Sequence, residues 1–346
     1  MKISKSAQLF AILLVMTMAA FAWYFSKKVI IFPEIAALAL GAWVMESPPW
    51  RGCSNLGLWL SPTFAALTGF LIIRFFPCST YLMITAAFAL TALQLSLLRS
   101  PLSPALSAAV LPLVVHSSSW CYPAAVCTFS GIVATGRYGR QYFRDHPKLS
   151  PERSRDKKRR FSDRVPATDA GPTGVLAELV YWGKLLPFVM IVLAVAVKFH
   201  WIFISAPPLL VAFAELAKPE DSFRARPFGV LVLLCVAALL GSAWLLFIRE
   251  VLHWPDWISA GLIFLSIFLL YHLMQLYFPP AAALGLLPLL LPQKALLSYP
   301  LEVFTGSVLF IVLSVGCFSG QRFLPRWCRP PFFGSTCRNS KVNAKP

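Results

Sequence analysis

Apolar runs of about 14 to 20 residues recur along the whole chain, beginning with QLFAILLVMTMAAFAWYF at 8–25. A helical run of that length approaches the roughly 30 Å of a bilayer's hydrocarbon core. It is apolar all round, so it lacks the polar face that would leave one side in water. Only 13% of the 346 residues are charged, about half of what a soluble surface needs. The expected fold class is therefore all-α: a polytopic transmembrane helical bundle.

The net charge of +17 is unevenly spread. Residues 137–164, RYGRQYFRDHPKLSPERSRDKKRRFSDR, hold 11 of the 31 Lys and Arg, and residues 322–346 hold six. Basic clusters between apolar runs follow the positive-inside bias and attract anionic lipid. They place the N-terminus, a 137–180 linker and a 321–346 tail in the cytoplasm, with the protein multi-pass in the cell membrane. No nucleic-acid partner is expected. Lys27 and Lys28 fall on the other side in this scheme. The eight cysteines form no C-x-x-C pair and have no histidine at ligand spacing, which argues against a metal site or a disulfide framework. No cofactor is expected. The N-terminal run has the look of a signal peptide, but it has a counterpart deep in the chain and is read as a retained helix.

Three ordered blocks recur. SAQLFAILLVMTMAAFAWYFSKKVIIFPEIAALALGAWVMESP at 6–48 parallels WGKLLPFVMIVLAVAVKFHWIFISAPPLLVAFAELAKPED at 182–221, and SPTFAALTGFLI at 61–72 parallels LCVAALLGSAWLL at 234–246. SPALSAAVLPLVVHSSSWCYP at 103–123 parallels PPAAALGLLPLLLPQKALLSYP at 279–300, with the same proline spacing and a closing Tyr-Pro. Two membrane repeats follow, 1–136 and 181–320, as in many secondary transporters. Each offers six apolar segments. In the first they lie near 7–26, 29–46, 58–76, 80–98, 102–115 and 118–136. In the second they lie near 183–200, 202–217, 228–248, 257–278, 279–292 and 301–319. The second and fifth of each set are short, so broken or re-entrant helices are expected and the number of full spans is eight or twelve. Cytoplasmic ends on both sides of each repeat make the repeats parallel.

Prolines mark the breaks. Pro279 and Pro280 remove two backbone donors, and Phe278 before them is pushed toward an extended conformation. A helix must end near Tyr277 and a new short one begin with proline in its first turn, where a missing donor costs nothing. Its first amides, near Ala281 and Ala282, would be free for an anion at the positive helix end. Pro104, Ala105 and Ser107 give the first repeat an equivalent end, with Gln275 beside the second break.

The run YFPPAAALGLLP resembles the signature of HPP-family membrane proteins, in which His-Pro-Pro precedes small residues and a short apolar segment. The resemblance spans about residues 183–319, with Phe278 where the family has histidine. It implies a small-anion permease, since plant members act as chloroplast nitrite transporters.

Ionisable residues at membrane depth are costly and usually face a cavity or partner. Glu34 and Glu215 lie in the short second segments and are candidates for proton coupling or gating, as is His272. Arg51, Arg224 and Arg226 follow those segments, where an entering anion would meet them. Capping explains Glu34 and Glu302 as well, and an ion pair with Lys218 explains Glu215. No enzyme motif is present. The expected function is transport of a small inorganic anion such as nitrite, bound between the repeats. The alternatives are a lipid-modifying membrane enzyme using Glu46 or Glu302, and a non-transporting scaffold whose basic loop docks a partner. Membrane lipids are the expected partners, and homo-oligomerisation is left open.

Overall fold

The computed structural model describes residues 5–45, 50, 52–76, 78–145, 172–218 and 222–318. Among them are twelve α-helices and no strand. The first half holds α1 (Lys5–Tyr24), α2 (Glu34–Ala39, continued by a π turn at Leu40–Val44), α3 (Asn55–Phe75), α4 (Thr80–Leu97), α5 (Pro104–Val114) and α6 (Cys121–Asp145). The second half holds α7 (Pro172–Phe199), α8 (Pro207–Ala217), α9 (Pro227–Leu246, continued by a π turn at Phe247–Leu252), α10 (Asp256–Met274), α11 (Pro279–Leu286) and α12 (Tyr299–Phe318).

Local chemistry explains the helix ends. Proline opens α5, α8, α9 and α11, where its absent N–H is no loss. Ser54 caps α3 by accepting from the Gly57 amide at 2.9 Å. Six helical segments close on a non-glycine residue with φ between 49° and 55°: Ser26, Arg99, His116, His200, His253 and Gln275. In five of them the next amide reaches back to a carbonyl five residues earlier, as Ser100 does to Leu95 and Leu276 to Tyr271, which satisfies carbonyls the helix leaves orphaned.

Among the described residues seven helices are long and apolar enough to cross a membrane: α1, α3, α4, α7, α9 with its π turn, α10 and α12. Their outer faces expose large apolar side chains such as Phe10, Leu82, Met190, Leu265 and Val312, a surface suited to lipid tails rather than water. The short helices α2, α5, α8 and α11 are buried along their whole length. They form the centre that the long helices enclose.

The packing runs alike in the two halves. α3 lies against α4, α5 and α6, and α9 lies against α10, α11 and α12. Across the halves α1 packs on α10 and α7 on α4, while α2 packs on α11 and α8 on α5. Close approach depends on glycine at matched points in the two halves. A Cβ on Gly69 would sit 2.0 Å from the Ala109 carbonyl oxygen, and one on Gly241 would sit 2.1 Å from that of Gly285. Small residues at such crossings let helix backbones meet where lipid supplies no hydrophobic drive.

Two boundaries differ from expectation. α6 runs to Asp145 and α7 starts at Pro172, so both ends of the expected 137–180 linker are helical. Helix propagates beyond the apolar run because adding one more residue to a formed helix gains a hydrogen bond at little cost. The remainder of the linker, the 321–346 tail, Arg51 and Glu46 lie outside the described residues.

Candidate functional site

Glu34 and Glu215 are each 1% exposed. Glu34 is the first residue of α2, and Glu215 lies in the last turn of α8. Both meet the same helix end. Ser107 in the first turn of α5 donates its hydroxyl to Glu34 Oε1, and Ser103, one turn earlier, donates to Glu215 Oε1. One helix reaches both because α5 packs against α2 and α8, and residues four apart on a helix share a face.

The second oxygen of each carboxyl is buried with no hydrogen-bond partner among the described residues. A buried carboxylate with half its acceptors unmet is expensive as an anion, so it carries a proton or shares its charge with a neighbour. Glu215 has such a neighbour. Lys218 Nζ lies 3.2 Å from Glu215 Oε1 and 3.1 Å from Ser103 Oγ. Among the described residues Glu34 has no basic partner. Instead its charge lies within electrostatic reach of two buried tyrosines, Tyr122 on α6 and Tyr299 on α12. Both hydroxyls donate into the short helices at 2.7 Å, Tyr122 to Ala108 O and Tyr299 to Leu284 O.

The breaks form where the prolines place them, but their amides are occupied. α10 ends at Gln275 in the left-handed region and Phe278 is extended before α11. The Ala281 amide donates to Phe278 O at 3.1 Å. Tyr271 also donates to Phe278 O at 2.7 Å. At α5 the Ala105 amide donates to Leu102 O and the Leu106 amide to Ser103 O. Pro279, Pro280, Ala281, Ala282, Pro104 and Ala105 are all buried, and the Ala281 and Ala105 amides expected to be free are met by carbonyls of the tight turns before them. Ser107 joins Glu34 through its side chain instead.

Other expected site residues fall elsewhere. Gln275 and His272 are exposed, and the Gln275 amide donates to the His272 carbonyl on its own helix at 2.6 Å. The left-handed turn at Gln275 directs the chain inward while its side chain stays at the surface, so neither residue reaches the buried carboxyls. Arg224 donates to Ser314 O of α12 at 3.2 Å, tying a loop to a helix end, and Arg226 is exposed beside α9. Glu302 accepts from the Phe203 amide at 3.0 Å, holding the turn before α8 rather than capping its own helix. Two apolar grooves open on the outer surface, about 490 Å³ beside Trp244 and Leu273 and about 380 Å³ beside Phe64 and Leu93. Neither is lined by a residue of the breaks.

Ser103, Tyr122 and Tyr299 escape a reading of the sequence for ligands. Tyr122 and Tyr299 do carry a signal, the Tyr-Pro pair that closes each repeated block. Ser103 carries none, because its partner lies 112 residues away. Comparisons with protein-family models, with curated proteins and with solved structures return no match.

Proposed function

We propose that the protein is a membrane transport protein that carries a small solute between its two halves, with Glu34 taking up and releasing a proton in each cycle. The observation that carries this reading is the Glu34 carboxyl: buried, held by one hydroxyl, with its other oxygen unmet. Ionisable groups placed so deep in an apolar bundle usually serve ion or proton movement. Their cost makes them poor structural choices.

The halves are read as two parallel copies of one unit with broken helices. The matched tyrosine bonds to Ala108 and Leu284, the matched glycine contacts at Gly69 and Gly241, and the exchanged packing of α1 and α7 support that reading. A duplicated unit offers two similar packings about its centre, which suits alternating access.

A small inorganic anion such as nitrite is the proposed solute, in keeping with the HPP-like run at 277–288. Ser107 and the positive end of α5 attract an anion, but an ionised Glu34 already holds that hydroxyl. Protonation of Glu34 releases the donor and removes the repulsion. Anion and proton would therefore travel in the same direction. The test is nitrite flux into liposomes containing the purified protein and an internal pH dye, against protein-free liposomes. Nitrite entry with acidification of the lumen supports the reading. Absence of flux for nitrite, nitrate, formate and chloride removes it, and alkalinisation driven by a cation gradient would point to cation–proton exchange.

A further inference from the structure

Lys218 and Ser103 have a geometry that pairing with Glu215 alone does not require. The lysine ammonium donates to the Ser103 hydroxyl at 3.1 Å, and that hydroxyl donates to Glu215 Oε1. This is a hydrogen-bonded chain with every donor pointing the same way, from a side chain that is 29% exposed to a carboxyl that is 1% exposed. One turn further along α5, Ser107 points its hydroxyl at Glu34 in the same sense. The two serines are separated by about 6 Å between Cβ atoms, the ordinary spacing of residues four apart, a span within the reach of a single bridging water.

We propose that Lys218, Ser103, Glu215 and Ser107 form a one-sided relay along α5 that delivers protons to Glu34 from the end of the bundle where Lys218 lies. In the first step the Lys218 ammonium gives a proton to the Ser103 oxygen as Ser103 passes its own to Glu215. Lys218 is left neutral and Glu215 becomes a neutral acid, and water at the exposed lysine restores the ammonium. In the second step the Glu215 proton moves through a water to Ser107, whose hydroxyl proton passes to the Glu34 carboxylate. Glu215 ends ionised again and Glu34 neutral.

The surroundings favour one direction. Lys218 and Arg99 both act on Glu178 of α7, so the entry end holds two basic groups and two acids, Glu178 and Glu215. Around Glu34 the titratable neighbours are Tyr122 and Tyr299, with Glu302 acting on Tyr299. Both tyrosine protons are committed to backbone carbonyls. Phe32 packs edge-on against Tyr122 at 6.4 Å, and both rings are buried, so that approach to Glu34 is closed. The matching end of α11 carries Pro279 and Ala283 where α5 has Ser103 and Ser107, so only one of the two short helices can relay.

This inference rests on the proton-coupled reading, and its test separates the two. In liposomes with an internal pH dye, Lys218→Met and Ser103→Ala are each expected to slow nitrite-driven acidification at least tenfold. Acidification at the native rate in both variants overturns the relay and leaves proton-coupled transport standing. A second measurement does not depend on nitrite. Labelling of Glu34 by dicyclohexylcarbodiimide, which attacks protonated buried carboxyls, is followed by mass spectrometry in inside-out and right-side-out vesicles with pH clamped on each face. Labelling should follow the pH of one face only, and should lose that response in Ser103→Ala. An equal response to both faces overturns the relay even if no solute is moved.

Discussion

Ser103 donates its hydroxyl to the buried carboxyl of Glu215 across 112 residues of sequence, and this bond joins the first half of the chain to the second at the centre of the bundle. Lys218 completes the contact from the exposed side. Removing the acid while keeping the base leaves a partly buried ammonium facing only a hydroxyl. Glu215→Ala should therefore destabilise the protein by about 3 kcal/mol, whereas Glu215→Gln, which keeps an acceptor, should lose less. Thermal unfolding in detergent followed by tryptophan fluorescence reads the difference. Equal loss in both variants would show that the pair is solvated.

Gly69 and Gly241 make the closest helix crossings, each against a backbone carbonyl that cannot yield as a side-chain tip can. Gly69→Ala and Gly241→Ala should each cost about 1–3 kcal/mol from overpacking. Gly139 and Gly183 have open space where a Cβ would go. Alanine at either should be neutral or slightly stabilising, since glycine costs a helix about 1 kcal/mol relative to alanine. The melting temperatures of the four variants are the measurement.

Tyr122 and Tyr299 make the same bond in the two halves, hydroxyl to a carbonyl of a short helix at 2.7 Å. Tyr122→Phe and Tyr299→Phe should lose similar stability, about 1 kcal/mol each. A large difference between them would weaken the view of the halves as copies.

Lys28 lies in the turn between α1 and α2. Burial and the nearby Arg249 guanidinium hold its amine below the usual lysine range, and Asp256 partly offsets them. Arg249 and Asp256 form a two-point ion pair at 2.8 and 2.5 Å. Asp256→Asn removes the one neighbour that favours the ammonium, so the Lys28 pKa should fall further. Acylation of Lys28, read by peptide mass spectrometry as a function of pH, should then begin at lower pH than in the native protein. A shift in the opposite direction would contradict this electrostatic arrangement.

The breaks were legible in the sequence because proline acts locally: Pro104 and Pro279 each begin a short helix as expected. Among the described residues seven apolar runs form helices long and apolar enough to span, against the eight or twelve full spans expected; the run at 118–136 becomes α6, whose polar residues and arginines keep it out of that set. The state of the amides at the breaks was not legible. The Ala281 amide is taken by the Phe278 carbonyl, a bond set by how tightly the chain turns before α11 rather than by residue type. Glu34 and Glu215 stood out as acids in apolar runs, but their meeting on one end of α5 is a property of packing. Where α6 would stop was not legible either: the helix continues past the apolar run, through the start of the basic 137–180 segment, as far as Asp145.

The scaffold alternative has its own test. Deleting 148–168, which spares α6 and α7, should leave flux unchanged in a carrier. Loss of flux with retained folding would favour a docking role for the basic loop.

Proton coupling at Glu34 is read in the pH inside liposomes as nitrite enters, compared between the native protein and Glu34→Gln. The native protein should acidify the lumen in step with nitrite uptake, and Glu34→Gln, folded and still able to bind nitrite, should move no proton with it. Equal acidification by the two proteins, or uptake by the native protein with no change in pH, would contradict it.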